Sequence, residues 1–488
     1  MQDQNSGFRK ELGLFDSTMI VVGSMIGSGI FIVSSDISRT VGSSGWLLVV
    51  WLLTGIITLI GALSYGELAS MMPKAGGQYV YLREAYNPLI GFLYGWTLFM
   101  VIQTGTIAAV AVAFAKFTSV LIPFFSQNNI LLDLSFMKIS SAQLLAILSI
   151  IILTFINIKG LREGKILQDI FTVVKALALV FIIFLGLTLG ANWDVVSFNF
   201  ASMWEAKKLS FEGNIITGIE TLTGFGLIAA IGSAMVGSLF SSDAWNNITF
   251  TAGEVKNPSK NIPLSLFYGT LIVTVIYLLA NTAYLFVLPL AGDPASAEVS
   301  GLGIQFAPED RVGVSLAVEI FGSGAGVFMA ALIMVSTFGC NNGLILAGAR
   351  VYYAMAKDNM FFGSAGELNK KGVPAFALII QAVWASLLCL SGTYGQLLDY
   401  VIFAVLIFYC LTIAGIFILR KKKPDAERKY KAFGYPAIPA LYIFLASSIS
   451  LILLITKPLY TWPGLIIVLL GIPVYFLWNK VRKTVIDN

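Results

Sequence analysis

Long apolar runs alternate with short polar segments along this chain. A helix needs about 20 mostly apolar residues to cross the hydrocarbon core of a bilayer. The pattern predicts twelve such spans, most of them bounded by charge, glycine or proline. The predicted spans are residues 14–41, 45–71, 88–117, 141–158, 164–190, 225–254, 262–290, 323–356, 373–391, 395–419, 436–456 and 461–480.

Two of these spans are interrupted near their midpoints by glycine and small polar residues. The first interruption is Gly27-Ser28-Gly29, and the second begins at Ser241, directly after Phe240. An unwound main chain in hydrocarbon persists only where protein, water or a ligand satisfies its polar groups. Helix packing is the alternative explanation for small residues, but packing motifs space them four residues apart, whereas these are contiguous. Interruptions in corresponding spans of two halves therefore indicate the binding site of a transporter.

The interruptions lie in the first and sixth of an even number of spans, and this position predicts how the helices are arranged. We expect an all-α integral membrane fold with one transmembrane domain, residues 1–488. A first repeat of five helices covers residues 14–190, and a second, inverted repeat covers residues 225–419. Two additional helices follow at residues 436–480.

Composition and charge place the chain among multi-pass membrane proteins. Of the 488 residues, 57% are hydrophobic and only 12% charged, and the mean hydropathy is +0.84. The stretches 191–213 and 291–322 are too polar to span a membrane and are expected to carry short surface helices.

Twenty-two of the 31 Lys and Arg residues fall on one side of the predicted topology and seven on the other, which places both termini in the cytoplasm. The basic run 420–423 is then an anchor with some affinity for anionic lipid, and no nucleic-acid partner is expected.

The residue inventory excludes several kinds of chemistry. The chain has no histidine, and its three cysteines lie singly in apolar segments. Histidine-ligated metal sites, histidine proton relays and a Ser-His-Asp triad are therefore excluded, and no phosphate-binding or dinucleotide-binding motif is present. We expect neither an enzyme nor an ATP-driven pump, and no metal or cofactor. Glu67, Glu254 and Glu319 lie near the predicted membrane ends, where gating ion pairs are less common than solvated or capping roles.

The two interruptions present main-chain groups of opposite polarity. The half-helix before the first break ends in carbonyl groups near Met25, whereas the next half-helix begins with free amide groups at Gly27-Ser28-Gly29, which suit a carboxylate. The sixth span runs in the opposite direction, and its first half ends in carbonyl groups near Phe240 and Ser241, which suit an ammonium group. The matching ligand is a zwitterionic α-amino acid, since the two breaks are expected to lie about one small molecule apart.

Three side chains beside the second break have more than one interpretation. Phe240 directly precedes the break, which favours a lid over the substrate rather than a core aromatic. Trp245 is compatible with lipid contact, an interfacial anchor or packing behind the site. Asp243 either caps the following half-helix or attracts a substrate ammonium or cationic side chain, and these two roles are compatible.

Lys175 lies deep in the fifth span, where an unpaired charge is costly. Its ammonium group is expected to donate hydrogen bonds to unwound carbonyl groups of the first span and to a hydroxyl group such as that of Ser336 or Thr337. We favour a fixed cation that makes transport independent of other cations. The alternative is a lysine that releases its proton and couples transport to protons.

These motifs resemble those of the amino acid-polyamine-organocation superfamily, and within it the L-amino-acid transporter family. The resemblance covers nearly the whole chain. It is carried by Gly27-Ser28-Gly29-Ile30-Phe31, Tyr65-Gly66-Glu67-Leu68-Ala69, Pro73, Gly76-Gly77, Tyr79 to Tyr81, Trp245-Asn246, Glu254, Asn257-Pro258, Asn261-Ile262-Pro263 and Tyr435-Pro436.

The resemblance implies the inverted-repeat fold of the leucine transporter and alternating access, commonly with sodium-independent exchange of neutral amino acids. It also implies that Lys175 replaces a sodium site. The positions that match the family's backbone-binding residues are Met25, Gly27, Ser28, Gly29, Phe240, Ser241 and Asp243.

Two departures from the family pattern affect the expected substrate and partners. Ser241-Ser242 stands where many relatives carry an alanine and a tyrosine, which leaves the side-chain preference open. Residues 118–140 contain no cysteine, so the disulfide that joins animal members to a glycoprotein subunit cannot form, and the chain is expected to work alone.

The expected function is exchange of neutral L-amino acids across the plasma membrane without sodium. The main alternative is a transporter of cationic amino acids or polyamines, with or without proton coupling, in which Asp243 binds the extra charge. A channel fits less well because its pore requires continuous helices or rings of like residues. A transport-dead nutrient receptor fits less well because no large cytoplasmic output segment is evident.

Overall fold

A computed structural model describes residues 10–134, 137–212, 215–391 and 394–486. The helices up to residue 201 are α1 (Leu14–Met25), α2 (Val33–Val41), α3 (Ser44–Met71), α4 (Gln78–Ala85), α5 (Pro88–Thr97), α6 (Gln103–Leu121), α7 (Ser141–Lys159), α8 (Leu161–Leu187) and α9 (Trp193–Ala201). The later helices are α10 (Gly224–Ser241), α11 (Asn247–Phe250), α12 (Pro258–Val287), α13 (Val299–Leu302), α14 (Val312–Phe321), α15 (Ser323–Lys357), α16 (Ala375–Cys389), α17 (Tyr394–Lys422), α18 (Ala437–Thr456) and α19 (Pro458–Ile486).

A helix lies in each of the twelve predicted spans. Within the described part of the chain, ten helical spans are long and apolar enough to cross a membrane: α3, α5 with α6, α7, α8, α10, α12, α15, α17, α18 and α19. The π-helical turn Leu98–Ile102 joins α5 to α6. The interrupted α1 and the 15-residue α16 are shorter. The chain is a multi-pass membrane protein.

The described structure also contains two β-hairpins, neither of which was predicted from the sequence. Strand β1 (Ile130–Leu134) pairs with β2 (Met137–Ser140), and β3 (Lys207–Glu212) pairs with β4 (Ile215–Thr221). The expected short helices are present as α9, α13 and α14, and β3 lies at the end of the stretch 191–213. The β-branched residues of β4 favour the extended conformation.

The first break follows directly from its small residues. The amide of Ile26 makes the last α-helical hydrogen bond of α1, to Val22, and a 3-10 turn at Gly29–Phe31 leads into α2. The second break separates α10 from α11, and Ala244 within it has a φ of 64°. Both predicted interruptions are therefore present in the structure.

The interrupted helices lie at the centre of the bundle and contact each other on both sides of the breaks. Helix α1 packs against α8, α12, α15 and the short α11, whereas α2 packs against α10. The first half of each interrupted helix therefore contacts the second half of the other.

Contacts define one face of the bundle, here named the terminal face, that carries both ends of the described chain. Leu12 forms a parallel bridge with Val255 at the N-terminal end. Near the C-terminal end, the indole of Trp478 donates a hydrogen bond of 3.1 Å to the carbonyl oxygen of Asn359. The hydroxyl of Tyr79, in α4, donates a hydrogen bond to Asp358, the residue before Asn359, so α4 lies near this face as well.

Glu67 and Glu254 form buried ion pairs near the terminal face, so the expectation of solvated or capping roles is wrong. Glu67 accepts hydrogen bonds of 2.9 and 2.7 Å from Arg420, and Glu254 accepts one of 3.1 Å from Arg350. Both carboxylates are at most 1% exposed. Burial removes hydration from a carboxylate, so each one requires a cationic partner.

Candidate functional site

The two breaks touch each other inside the bundle. Gly29 packs so closely against Ser241 that a β-carbon on Gly29 would overlap the Ser241 side chain. The expected gap of one small molecule between the breaks is therefore wrong for this conformation. The absence of a side chain at Gly29 allows this contact, because only hydrogen occupies the place of the β-carbon.

The hydroxyl group of Tyr277 joins the carbonyl ends of the two half-helices. This group lies 2.9 Å from the carbonyl oxygen of Met25 and 3.0 Å from that of Ser241. A hydroxyl group has one proton and a carbonyl oxygen has two lone pairs, so acceptor capacity remains at both oxygens. The site therefore presents two converging acceptors, which favour a cationic group.

The amide groups of Gly27, Ser28 and Gly29 donate no hydrogen bond to any group in the described part of the chain. They lie at the start of the second half-helix, where the helix dipole favours a negative charge. The hydroxyl of Ser28 donates a hydrogen bond of 3.2 Å to the Tyr394 hydroxyl. The first break therefore has carbonyl acceptors on one side and amide donors on the other.

Lys175 reaches the first break from α8 and is 2% exposed. Its Nζ donates hydrogen bonds of 2.5 Å to the carbonyl oxygen of Gly23 and 2.6 Å to that of Ile26. The predicted contact with unwound carbonyl groups is thus present, but the predicted contact with a hydroxyl is wrong. The hydroxyls of Ser336 and Thr337 instead donate to main-chain carbonyl groups.

Aromatic side chains surround the second break. Phe240 is 8% exposed and packs edge-to-face on Tyr394, with ring centroids 6.1 Å apart. Trp245 is buried against Tyr65 and Tyr409, which resolves its three interpretations in favour of packing behind the break.

Above Tyr394, on the face opposite the terminal face, lies a cavity of about 380 Å³ that we name the vestibule. Its lining includes Arg39, which binds Asp310 at 2.7 Å, and Asp399, which binds Lys457 at 2.8 Å. Tyr394 and Gly237 also line the vestibule, so it reaches the Tyr394 ring that packs on Phe240. On the terminal face, by contrast, the Glu254 carboxylate is buried in an ion pair with Arg350.

Asp243 lies inside the second break and is 8% exposed. Its carboxylate accepts a hydrogen bond of 2.5 Å from the hydroxyl of Tyr409 on α17. The carboxylate therefore has a side-chain donor that is 166 positions away in the sequence.

Three tyrosines near the breaks were missed because a tyrosine in an apolar run is indistinguishable from a core residue. Tyr277 contacts both breaks, Tyr394 contacts Ser28 and Tyr409 contacts Asp243. The signal that could have indicated them is the polar end of an aromatic side chain, which needs a partner when it is buried.

This geometry defines a class: helical membrane proteins in which two interrupted helices meet within the bundle. The chain belongs to the amino acid permease family, part of the amino acid-polyamine-organocation superfamily, whose model matches residues 12–477. It is also a member of the L-amino-acid transporter family. The expectation from the sequence motifs is confirmed.

Named relatives match along nearly the whole chain. Large neutral amino acids transporter small subunit 2 of Mus musculus is 32% identical over 470 residues, which cover 96% of this chain and 81% of the relative. Serine/threonine exchanger SteT of Bacillus subtilis (strain 168) is 30% identical over 98% of this chain and 99% of the relative. The b(0,+)-type amino acid transporter 1 of Mus musculus is 28% identical over 97% of this chain and 89% of the relative. These relatives are transporters rather than enzymes.

Proposed function

We propose that this protein exchanges neutral L-amino acids across the plasma membrane by alternating access, without sodium. The observation that carries the proposal is the convergence of the Met25 and Ser241 carbonyl oxygens on one hydroxyl group, that of Tyr277. The ammonium group of the substrate binds these two oxygens, and the carboxylate of the substrate binds the amide groups of Gly27-Ser28-Gly29.

The remaining site residues have supporting roles in this proposal. Phe240 covers the bound substrate, and Asp243 borders the space for its side chain. Lys175 supplies a fixed positive charge at the position of a sodium site, because its two hydrogen bonds already occupy the Gly23 and Ile26 carbonyl oxygens. Transport then needs no metal ion or cofactor.

Contacts between the half-helices support an inverted-repeat arrangement of the fold. We assign residues 14–190 to one five-helix repeat, 225–419 to an inverted second repeat and 436–480 to two additional helices, in one twelve-span domain. The contacts of α1 with α11 and of α2 with α10 are those expected of two inverted repeats. The terminal face is cytoplasmic in this assignment, because most Lys and Arg residues of the loops fall on that side.

The exchange cycle starts from the vestibule. Substrate enters it from outside, and separation of Tyr394 from Ser28 and of Gly29 from Ser241 opens the site. Release to the cytoplasm then requires separation of Leu12 from Val255 and of Glu254 from Arg350. The chain carries out this cycle alone in our proposal.

The test is counterflow in proteoliposomes made from the purified chain. Vesicles loaded with unlabelled L-alanine should accumulate labelled alanine, serine, threonine or leucine equally well with sodium and with choline outside, and at two pH values. Vesicles without internal amino acid should accumulate little. Equal uptake into loaded and empty vesicles would contradict exchange, and uptake only with sodium would contradict the role of Lys175.

A second candidate function, transport of cationic amino acids or polyamines, is favoured by the buried Asp243 carboxylate. Labelled L-arginine in the same counterflow assay distinguishes the two. Uptake of arginine that is lost in Asp243→Asn, with leucine uptake retained, would favour the cationic function.

A further inference from the structure

The vestibule contains a lysine whose ammonium group has no partner. Lys116, on α6, lines this cavity and is 8% exposed. Among the described residues, no group accepts a hydrogen bond from its Nζ or forms an ion pair with it. The same Nζ is not among the unpartnered atoms that water cannot reach, so it is open to the vestibule. A largely buried ammonium group is costly without an anion, so an anionic group that enters the vestibule is stabilised there.

The charged groups that act on Lys116 leave its positive charge uncompensated. They are two carboxylates and two guanidinium groups, those of Asp310, Glu309, Arg311 and Arg39. Asp310 is already paired with Arg39 at 2.7 Å. Glu309 is paired with Arg311 at 3.4 Å. Two negative and two positive charges cancel each other, so the charge of Lys116 remains available to a ligand.

A carboxylate with spare acceptor capacity lines the same cavity. Asp36, on α2, borders the vestibule, and its side chain is 63% exposed. Its ion pair with Arg39 is long, at 3.8 Å, because the same arginine binds Asp310 more closely. Asp36 therefore keeps lone pairs for a donor from outside. Since Asp36 is exposed and Lys116 is not, a ligand from solution reaches the carboxylate at the mouth and the ammonium group farther in.

An inner cation and an outer carboxylate match a zwitterion better than a simple anion. The vestibule, at about 380 Å³, has the size of a small-molecule pocket, for which roughly 300 to 1,000 Å³ is usual. Tyr394 also lines the vestibule and accepts a hydrogen bond from Ser28 in the first break. An amino acid that enters with its carboxylate foremost therefore approaches the amide groups of the break in the orientation in which they bind it.

We propose that Lys116 and Asp36 form an entry site, which binds a zwitterionic amino acid in the vestibule before it reaches the breaks. The carboxylate of the amino acid binds Lys116, and its ammonium group binds Asp36. This inference rests on the proposed function and adds a binding site to it. Occupancy is brief, because hydrated ion pairs contribute little to affinity. The entry site changes the rate at which substrate arrives rather than the strength of binding at the breaks.

The experiment measures the association and dissociation rates of L-alanine with the purified protein by stopped-flow tryptophan fluorescence. Trp245, buried behind the second break, provides the signal. Equilibrium binding of labelled L-alanine gives Kd separately. Lys116→Gln should lower both rates about fivefold and leave Kd within twofold of the wild-type value, because a group on the entry path acts on arrival and departure alike.

Two further lysine variants separate the charge of Lys116 from its place in the fold. Lys116→Arg should keep both rates within twofold of wild type, since it keeps the positive charge. Lys207→Gln is the matched control, because Lys207 pairs with Glu205 and does not line the vestibule. It should leave both rates and Kd unchanged.

Unchanged rates in Lys116→Gln, or a fivefold weaker Kd in that variant, would overturn the entry site while leaving exchange intact. Wild-type uptake that is faster in chloride than in gluconate, with the difference lost in Lys116→Gln, would assign Lys116 to an inorganic anion and also overturn it. If Lys116→Gln does not fold, the exposed Asp36→Asn decides, with the same fall in both rates expected. Absence of exchange with every amino acid would contradict the proposed function and this inference with it.

Discussion

The Nζ of Lys175 lies 2.6 Å from the carbonyl oxygen of Ile26, the residue at which the first half-helix ends. A second bond joins the same ammonium group to Gly23. Carbonyl groups at a helix C-terminus carry partial negative charge, so they stabilise a cation without a carboxylate. A residue of α8 thereby holds the end of α1 at the first break.

Replacing Lys175 by alanine should reduce the initial rate of amino acid counterflow at least tenfold. The carbonyl oxygens of Gly23 and Ile26 lose buried donors, at about 1 to 3 kcal/mol each, and the end of α1 loses its anchor. Lys138→Ala is the control, because Lys138 pairs with Asp133 on an exposed hairpin. Wild-type rates in Lys175→Ala vesicles would show that the fixed cation is dispensable.

Tyr277→Phe should raise KM for the substrate about tenfold, because the carbonyl oxygens of Met25 and Ser241 are no longer held together. The ring remains, so packing against Trp51 is preserved. The measurement is the concentration dependence of counterflow. Tyr86→Phe is the control, since among the described residues the Tyr86 hydroxyl donates only to the carbonyl oxygen of Leu411. If KM is the same in both variants, Tyr277 does not position the carbonyl groups.

Much of this fold follows from the hydrophobic pattern alone. The predicted and observed ends of the span at α3, for example, differ by one residue at most, because its apolar run is long and its flanks are polar. The breaks were predictable because Gly27-Ser28-Gly29 is a local signal. Contacts between distant residues were not: Glu67 and Arg420 are 353 positions apart, and neither flanking sequence indicates the other.

The details of the site were predictable only in part, because some of them depend on packing between residues distant in the sequence. Main-chain polarity at Met25 and Gly27 follows from helix direction, which the sequence supplies. The contact of Gly29 with Ser241 depends on how two helices pack in this conformation. The partner of Asp243 is a tyrosine from α17, and side-chain packing rather than sequence spacing selects it.

Glu67→Gln should lower the melting temperature of the detergent-solubilised protein by at least about 5 °C. The carboxylate is 1% exposed and accepts hydrogen bonds from Arg420 and from the Ala432 amide at 2.7 Å, so the substitution breaks a buried ion pair worth about 3 kcal/mol. Glu84→Gln, at a half-exposed pair with Lys423, should shift the melting temperature much less. Equal shifts in the two variants would contradict a larger stabilising contribution from the Glu67 ion pair.

The Asp310 ion pair at the vestibule predicts a pH dependence. Burial alone would raise the pKa of Asp310, but Arg39 and Lys116 outweigh it and lower the pKa below the ordinary 3.8. A carboxylate with a lowered pKa stabilises the fold above its ordinary pKa, and this contribution is lost as the pH falls through the lowered value.

The melting temperature of the wild-type protein should therefore fall more steeply below about pH 4 than that of Asp310→Asn. The measurement is thermal unfolding between pH 3 and pH 6, with Asp133→Asn on the exposed hairpin as the control. Parallel curves for wild type and Asp310→Asn would contradict the contribution of this pair.

Equilibrium binding of labelled L-threonine to purified Gly29→Ala tests most directly whether an amino acid occupies the paired breaks. A methyl group on Gly29, one of the residues proposed to bind the substrate carboxylate, overlaps Ser241, whereas the same change at Gly324 meets open space. We predict that the wild-type protein and Gly324→Ala bind threonine, that Gly29→Ala does not, and that adding Ser241→Gly to Gly29→Ala restores part of the binding. Unchanged threonine binding by a folded Gly29→Ala protein would place the substrate elsewhere and contradict the account.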